Sequence, residues 1–150
     1  MSVSEAVVEI TRLPHAPKDL PAYRTEGAAG MDLCLAGEDV IVLPGERALL
    51  PTGLCIAVPL GYEGQVRLRS GFALQTGLIL PNAPGTIDAD YRGEIKLLVM
   101  NVSREPACVK RGERIAQLVI APVVRCVWRE VPALPPSARD AGGFGSTGSR

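Results

Sequence analysis

The sequence predicts an all-β domain, a sandwich or barrel, carrying one short helix. Three observations lead there. Short apolar runs rich in Val, Ile and Leu are cut by 13 prolines and 16 glycines, at intervals too short for helices. No segment sustains an apolar stripe at 3.6-residue spacing. Hydrophobic residues make up 47% of the chain but aromatics only 4%, so the core must be aliphatic. A length of 150 residues suits one domain with a real core and is short for two.

The runs follow in order: VVEITRL (7–13), DLCLA (32–36), DVIVLP (39–44), RALLPTGLCIAVP (47–59), YEGQVRLR (62–69), GEIKLLVMNV (93–102), RIAQLVIAPVV (114–124) and CVWREV (126–131). Each is bounded by turn residues and reads as a strand. RSGFALQTG is the helical candidate, of about two turns, with Ser70 as N-cap, Phe72, Ala73 and Leu74 inside, and Gly77 as a left-handed stop. PGERALL and RGERIAQ share Gly-Glu-Arg before an apolar strand, which marks both as turn-to-strand transitions. Residues 1–134 form the predicted β domain. Residues 135–150, PPSARDAGGFGSTGSR, hold too little apolar surface for a core and read as a flexible arm.

Sixteen basic residues balance sixteen acidic ones. That balance gives no general attraction to nucleic acid or to a membrane surface, so phosphate binding has to come from local placement of Arg and backbone N–H groups. Cys34, Cys55, Cys108 and Cys126 form no C-x-x-C pair and read as small buried hydrophobes in a reducing compartment. His15, the single histidine, leaves zinc without a ligand set. With neither a signal peptide nor a transmembrane run, the sequence reads as cytoplasmic.

Five segments carry polar residues with chemical potential. In AAGMDL, Asp32 is either a turn aspartate or an outer-sphere partner for a hard cation held on phosphates. In RLRSGFA, Ser70 is fully explained as a cap, while the same hydroxyl with Arg69 and the exposed N–H groups also makes an anion site. NAPGTIDADYRG reads as a polar hairpin turn. It also crowds Asn82, Asp88, Asp90 and Tyr91 between apolar strands, where a base and sugar fit and a carboxylate could orient water. Gln117, an amide inside RIAQLVI, faces solvent or bonds to something. GGFGSTG in the arm is a loose phosphate-cradling loop without the lysine or spacing of a P-loop.

Taken in this order, AAGMDL, RSGFA, NAPGTIDADYRG, RGERIAQL and RDAGGFGSTG resemble the five motifs of the homotrimeric deoxyuridine triphosphatase (dUTP diphosphatase) family. The resemblance implies a jelly-roll-like subunit, a homotrimer with active sites at subunit interfaces, and Mg²⁺-dependent hydrolysis of dUTP to dUMP and pyrophosphate. That reaction keeps uracil out of DNA and supplies dUMP for thymidylate synthesis. By matching position, Asp88 activates the attacking water. Asn82, Thr86, Ile87, Tyr91 and Met100 hold the uracil and deoxyribose, with Phe144 of the arm covering the base. Arg69, Ser70, Gly71, Gln117, Arg139, Ser146 and Thr147 hold the phosphates, and Asp32 touches the waters of the metal. Asp140 departs from the pattern, standing where the family usually has glycine. Two other readings are a dCTP deaminase or bifunctional relative, which needs a glutamate to shuttle protons at the base, and a non-catalytic trimeric nucleotide-binding module.

Overall fold

The computed structural model describes residues 5–146 and 148 and is mostly strand. Ten strands and one helix follow in order: β1 (Glu9–Arg12), β2 (Met31–Cys34), β3 (Val40–Val42), β4 (Arg47–Ala57), β5 (Tyr62–Leu68), α1 (Ser70–Thr76), β6 (Leu78–Ile79), β7 (Gly85–Ile87), β8 (Glu94–Asn101), β9 (Ala107–Val109) and β10 (Arg114–Pro122). Two four-stranded sheets, ordered β1-β4-β8-β6 and β2-β10-β5-β7, are accompanied by a separate β3-β9 pair. Every pairing is antiparallel. The result is the jelly-roll-like architecture expected from the sequence.

Alternation explains how the strands close on one core. Along β8, Ile95, Leu97 and Val99 point inward while Lys96, Leu98 and Met100 point out. Leu50, Leu97 and Val99 of the first sheet meet Leu33, Val66, Ile115 and Leu118 of the second in a single aliphatic cluster. The repeated Gly-Glu-Arg does form two matching turns. Gly45 and Gly112 both take φ near +79°, and the N–H of the following glutamate bonds back at 3.0 Å to Leu43 O and to Lys110 O respectively. Positive φ is where glycine avoids the Cβ clash of other residues.

Three details differ from the sequence reading. The cap of α1 is Arg69 in extended conformation with no side-chain cap bond, and Ser70 is the first helical residue. Gly77 does stop the helix in the left-handed region, its N–H bonding Ala73 O at 2.9 Å. CVWREV forms no strand. Its residues follow β10 as an extended segment with Val127 and Trp128 about nine-tenths exposed. The cysteines are free thiols but not buried ones: Cys34 and Cys55 are half-buried and Cys108 and Cys126 exposed.

Asn101 and Thr52 are the buried polar side chains of the described residues. Asn101 Nδ2 donates to Val42 O and Glu105 O, both at 2.8 Å. Its Oδ1 accepts from the N–H of Ser103 at 2.9 Å and from its hydroxyl at 2.8 Å. One side chain thus fixes the end of β8 to β3 and to the turn that follows. Asn101→Ala strands the buried Val42 carbonyl and loosens the half-buried Ser103 turn, at about 1–3 kcal/mol for each buried group left unsatisfied. Its unfolding free energy, measured in urea, is expected to fall by about 3 kcal/mol with the m-value unchanged.

Candidate active site

The hairpin from β7 to β8 builds a cleft. Its walls include Leu80, Asn82, Thr86, Ile87 and Tyr91 with the Lys96–Leu98 stretch of β8, around a volume of about 130 Å³. Ile87 turns into the core, which fixes β7, and leaves Asp88 exposed as the next residue. The turn closes through its backbone, Tyr91 N–H bonding Asp88 O at 3.1 Å. Arg92 supports it by donating to Ala89 O at 2.7 Å and Tyr91 O at 2.8 Å. The Asp88 carboxylate is therefore not spent on holding the turn. Tyr91 Oη donates to Glu94 O at 3.0 Å.

Four of the residues expected at the base and sugar, Asn82, Thr86, Ile87 and Tyr91, come together here. Met100 does not. It lies further along β8, paired with Arg47 and Ile79, while Glu94 to Leu98 are the part of the strand that borders the cleft. An apolar run does not reveal which of its residues sits beside a turn.

A second cluster forms around Asp32. Its Oδ1 lies 3.2 Å from Arg69 Nε, and its Oδ2 lies 3.1 Å from Arg114 Nη1 and 3.8 Å from Arg24 Nε. Strand pairing explains the convergence: Gln117 of β10 sits opposite Asp32 of β2 on one side and Arg67 of β5 on the other. Arg69 follows β5, its N–H bonding Ile115 O at 3.1 Å and its Nη1 donating to Arg114 O at 3.3 Å. Gly30 leaves space for the Gln117 amide, since a Cβ there would approach Oε1 to 2.6 Å. Ser70 and Gly71 lie exposed beside Arg69 at the start of α1. Three guanidiniums around one carboxylate leave the cluster net positive, which suits a polyanion. Below it, burial pushes the Cys34 thiol above its ordinary value and Asp32 adds to this, against Arg114, Arg24 and Arg69.

Arg24 and Arg114 are members the sequence reading missed. Arg114 was in view inside RGERIAQL, where attention went to Gln117, and Arg24 stands eight positions before Asp32. Among the described residues no group of three or more His, Cys, Asp and Glu could hold a metal ion. Both oxygens of Asp32 already face arginines. This donor set fits a metal that arrives on phosphates and meets Asp32 through water, and does not fit an ion held by the chain alone.

The arm lies apart from both clusters. Arg139, Phe144 and Ser146 are exposed, and none of them lines the cleft; Thr147 lies outside the described residues. The bonds of the arm are local, such as Arg139 Nε to Gly142 O at 2.7 Å and Ser146 N–H to Gly143 O at 3.0 Å. Asp140 adopts φ 45°, a conformation that glycine takes freely and aspartate tolerates better than most residues.

Glu94, at the foot of the hairpin, also escaped the sequence reading. Its Oε1 is 2.7 Å from His15 Nε2 and accepts the Gly53 N–H at 2.9 Å. Burial raises its pKa, but the bonds from His15 and Gly53 outweigh this and hold the carboxyl below the ordinary value of 4.5. A depressed folded-state pKa stabilises the protein fully above the unfolded value, and that stability drains away as pH falls through the folded one. The Tm gap between wild type and Glu94→Gln is expected to be widest at neutral pH and to close as pH falls below the ordinary carboxyl value, as thermal melts across that range will read.

Comparison with known proteins agrees with this geometry. The dUTPase family pattern matches residues 16–148. The deoxyuridine 5'-triphosphate nucleotidohydrolase of Rhizobium meliloti is 54% identical over 145 residues, covering 94% of this chain and 91% of that one. Among solved structures, a mutant dUTPase of Staphylococcus bacteriophage 80alpha with dUpNHpp is similar at a TM-score of 0.81 and 28% identity, over 95% of this chain and 98% of that one. A mutant dUTPase from phage phi11 of S. aureus, described for its coordination of a structural Mg(II) ion, reaches 0.74 at 25% identity, over 85% and 97%. Identity above one half along nearly the whole of both chains, on a shared fold, leaves one assignment: the chain belongs to the dUTPase family.

Proposed function

We propose that the protein hydrolyses dUTP to dUMP and pyrophosphate by attack of water on the α-phosphorus, with Asp88 as the general base. The observation that carries this reading is the division of labour between a neutral cleft beside a free carboxylate and a net-positive arginine cluster. The cleft takes uracil and deoxyribose between Asn82, Thr86, Ile87 and Tyr91, and its narrow walls exclude a 5-methyl group. Cytosine is rejected because its exchanged donor and acceptor leave buried polar groups unpaired. Arg69, Ser70, Gly71 and Gln117, joined by Arg114, hold phosphate oxygens and relieve charge on the departing pyrophosphate. Mg²⁺ carried on the phosphates, with Asp32 reaching it through water, supplies further charge neutralisation when bound. Residues 135–150 act as an arm in which Arg139, Ser146 and Thr147 grip the outer phosphates and Phe144 covers the base.

The two clusters do not meet within one chain. Ile87, beside Asp88, pairs with Gly64, whereas Ala116 of the arginine side pairs with Leu68. Gly64 and Arg69 are therefore separated by about 17 Å of strand, at about 3.3 Å per residue. A site that uses Asp88 and Arg69 together is more readily built from two copies than from one. This favours a homotrimer in which the hairpin of one copy faces the arginines of the next. The exposed Val124, Val127 and Trp128 supply apolar surface for that contact. The reaction keeps uracil out of DNA and supplies dUMP for thymidylate synthesis. The free thiols suit a reducing compartment, the cytoplasm.

The test is pyrophosphate release from dUTP, dCTP, TTP and UTP, with and without Mg²⁺, alongside the mass in solution. Release from dUTP alone by a trimer supports the reading. Ammonia from dCTP points to a deaminase, and a folded trimer inert to all four nucleotides is a binding module.

A further inference from the structure

The N-terminal loop is tied to the hairpin through one carboxylate. Where the β4–β8 ladder slips, between Pro51 and Cys55, side chains take over from backbone. Thr52 Oγ1 donates to Ile95 O at 2.7 Å, and Glu94 Oε1 accepts the Gly53 N–H at 2.9 Å. The same Oε1 meets His15 Nε2 at 2.7 Å, and Lys96 Nζ lies 3.6 Å from Oε2. The loop that presents His15 is locked onto the bulge. Leu13 N–H bonds Gly53 O at 2.8 Å, and Gly53, at φ +70°, has no room for a Cβ against the Ala16 backbone. At the other end of the residue, Glu94 O accepts the Tyr91 hydroxyl at 3.0 Å. The Tyr91 ring tip lies over Gly93, where a Cβ would collide with it.

We propose that Glu94 is a positioning residue for sugar selection: clamped by His15 and Gly53, it fixes the carbonyl that holds Tyr91, so the N-terminal loop sets the preference for deoxyribose over ribose. The inference rests on the reading of the cleft as the dUTP site. Tyr91 is an exposed ring on a turn and a wall of the cleft assigned to the sugar, so it leaves no room for a 2′-hydroxyl only if it stays in one place. A carbonyl at the first residue of β8, beside a slipped ladder, is a loose anchor by itself. The Glu94 carboxylate makes it a firm one by joining three segments far apart in sequence. A misplacement of about 1 Å can cost on the order of 10²-fold in discrimination or rate. A small freedom of the ring is therefore enough to admit the ribonucleotide.

The experiment compares kcat/KM for dUTP with kcat/KM for UTP in wild type, Glu94→Ala, His15→Ala and His15→Gln. The ratio is expected to fall roughly tenfold in both alanine variants, through a gain in UTP turnover, and to recover in His15→Gln, whose amide still donates. A merely structural defect lowers both nucleotides in parallel and leaves the ratio unchanged; that result overturns the proposal. His15→Ala, a change on a half-exposed loop, keeps the test available if Glu94→Ala does not fold. Wild-type protein that leaves dUTP intact sinks the underlying dUTP reading instead, whereas active wild type with unchanged selectivity in the variants overturns the clamp alone.

Discussion

Asp88→Asn is expected to lower kcat for pyrophosphate release from dUTP by about 10²–10⁴-fold, the usual contribution of a general base. The local structure makes this a clean substitution. Asp88 is exposed, and the turn it belongs to is closed by its backbone carbonyl and by Arg92, not by its carboxylate. Asparagine keeps the size, the turn preference and the bond to Tyr91 N–H, and removes the proton acceptor. Tm should therefore stay within a few degrees and KM for dUTP should change little, so the loss falls on kcat. A kcat within threefold of wild type would remove Asp88 from the base position and leave the hairpin as a binding element.

Deletion of residues 135–150 should be the next most damaging change, costing about 10²–10³-fold in kcat/KM, comparable with the loss of a transition-state donor. The arm carries Arg139, Phe144 and Ser146, and its own bonds are short-range ones such as Asp140 N–H to Ser137 O at 3.2 Å. It contributes nothing to the aliphatic cluster, which ends with β10. Truncation should accordingly leave the unfolding transition in place while activity collapses. Steady-state kinetics and thermal melts on the same preparation read the two separately. Arg139→Ala should reproduce part of the kinetic loss. A parallel fall in Tm would mean that the arm serves the fold and not the reaction.

The parts legible in the sequence were those that local pattern encodes. Alternation along GEIKLLVMN and punctuation by Gly and Pro gave the strands, and Gly-Glu-Arg gave two turns, because each depends on residues a few positions apart. CVWREV shows the limit of that logic: its composition is that of a strand, but a strand needs a neighbour, and within one chain it has none. Ser70 had the chemistry of a cap, and Arg69 took the position with no side-chain bond to the helix end. The cysteines looked apolar by their neighbours, yet exposure is decided by which face of a ladder a residue occupies. At the site, the resemblance of five segments supplies candidate residues, but not their neighbourhoods. That Arg114 reaches Asp32 follows from β2 pairing with β10, and the bond from His15 to Glu94 spans 79 positions. Such juxtapositions are set by register and a bulge, which no short window of sequence contains.

The separation of hairpin and arginines along β5 has a genetic reading. If every site is assembled from the two unlike ends of adjacent copies, a chain damaged only at Asp88 and a chain damaged only at Arg69 each retain the end that the other lacks. Co-expressed, the two alleles should complement, because some sites in a mixed trimer unite two sound halves. Two alleles damaged at the same end should not. By the same reasoning, a copy damaged at one end spoils a single site of a mixed trimer, so activity should fall in simple proportion to the damaged copies, whereas a copy damaged at both ends should cost two sites.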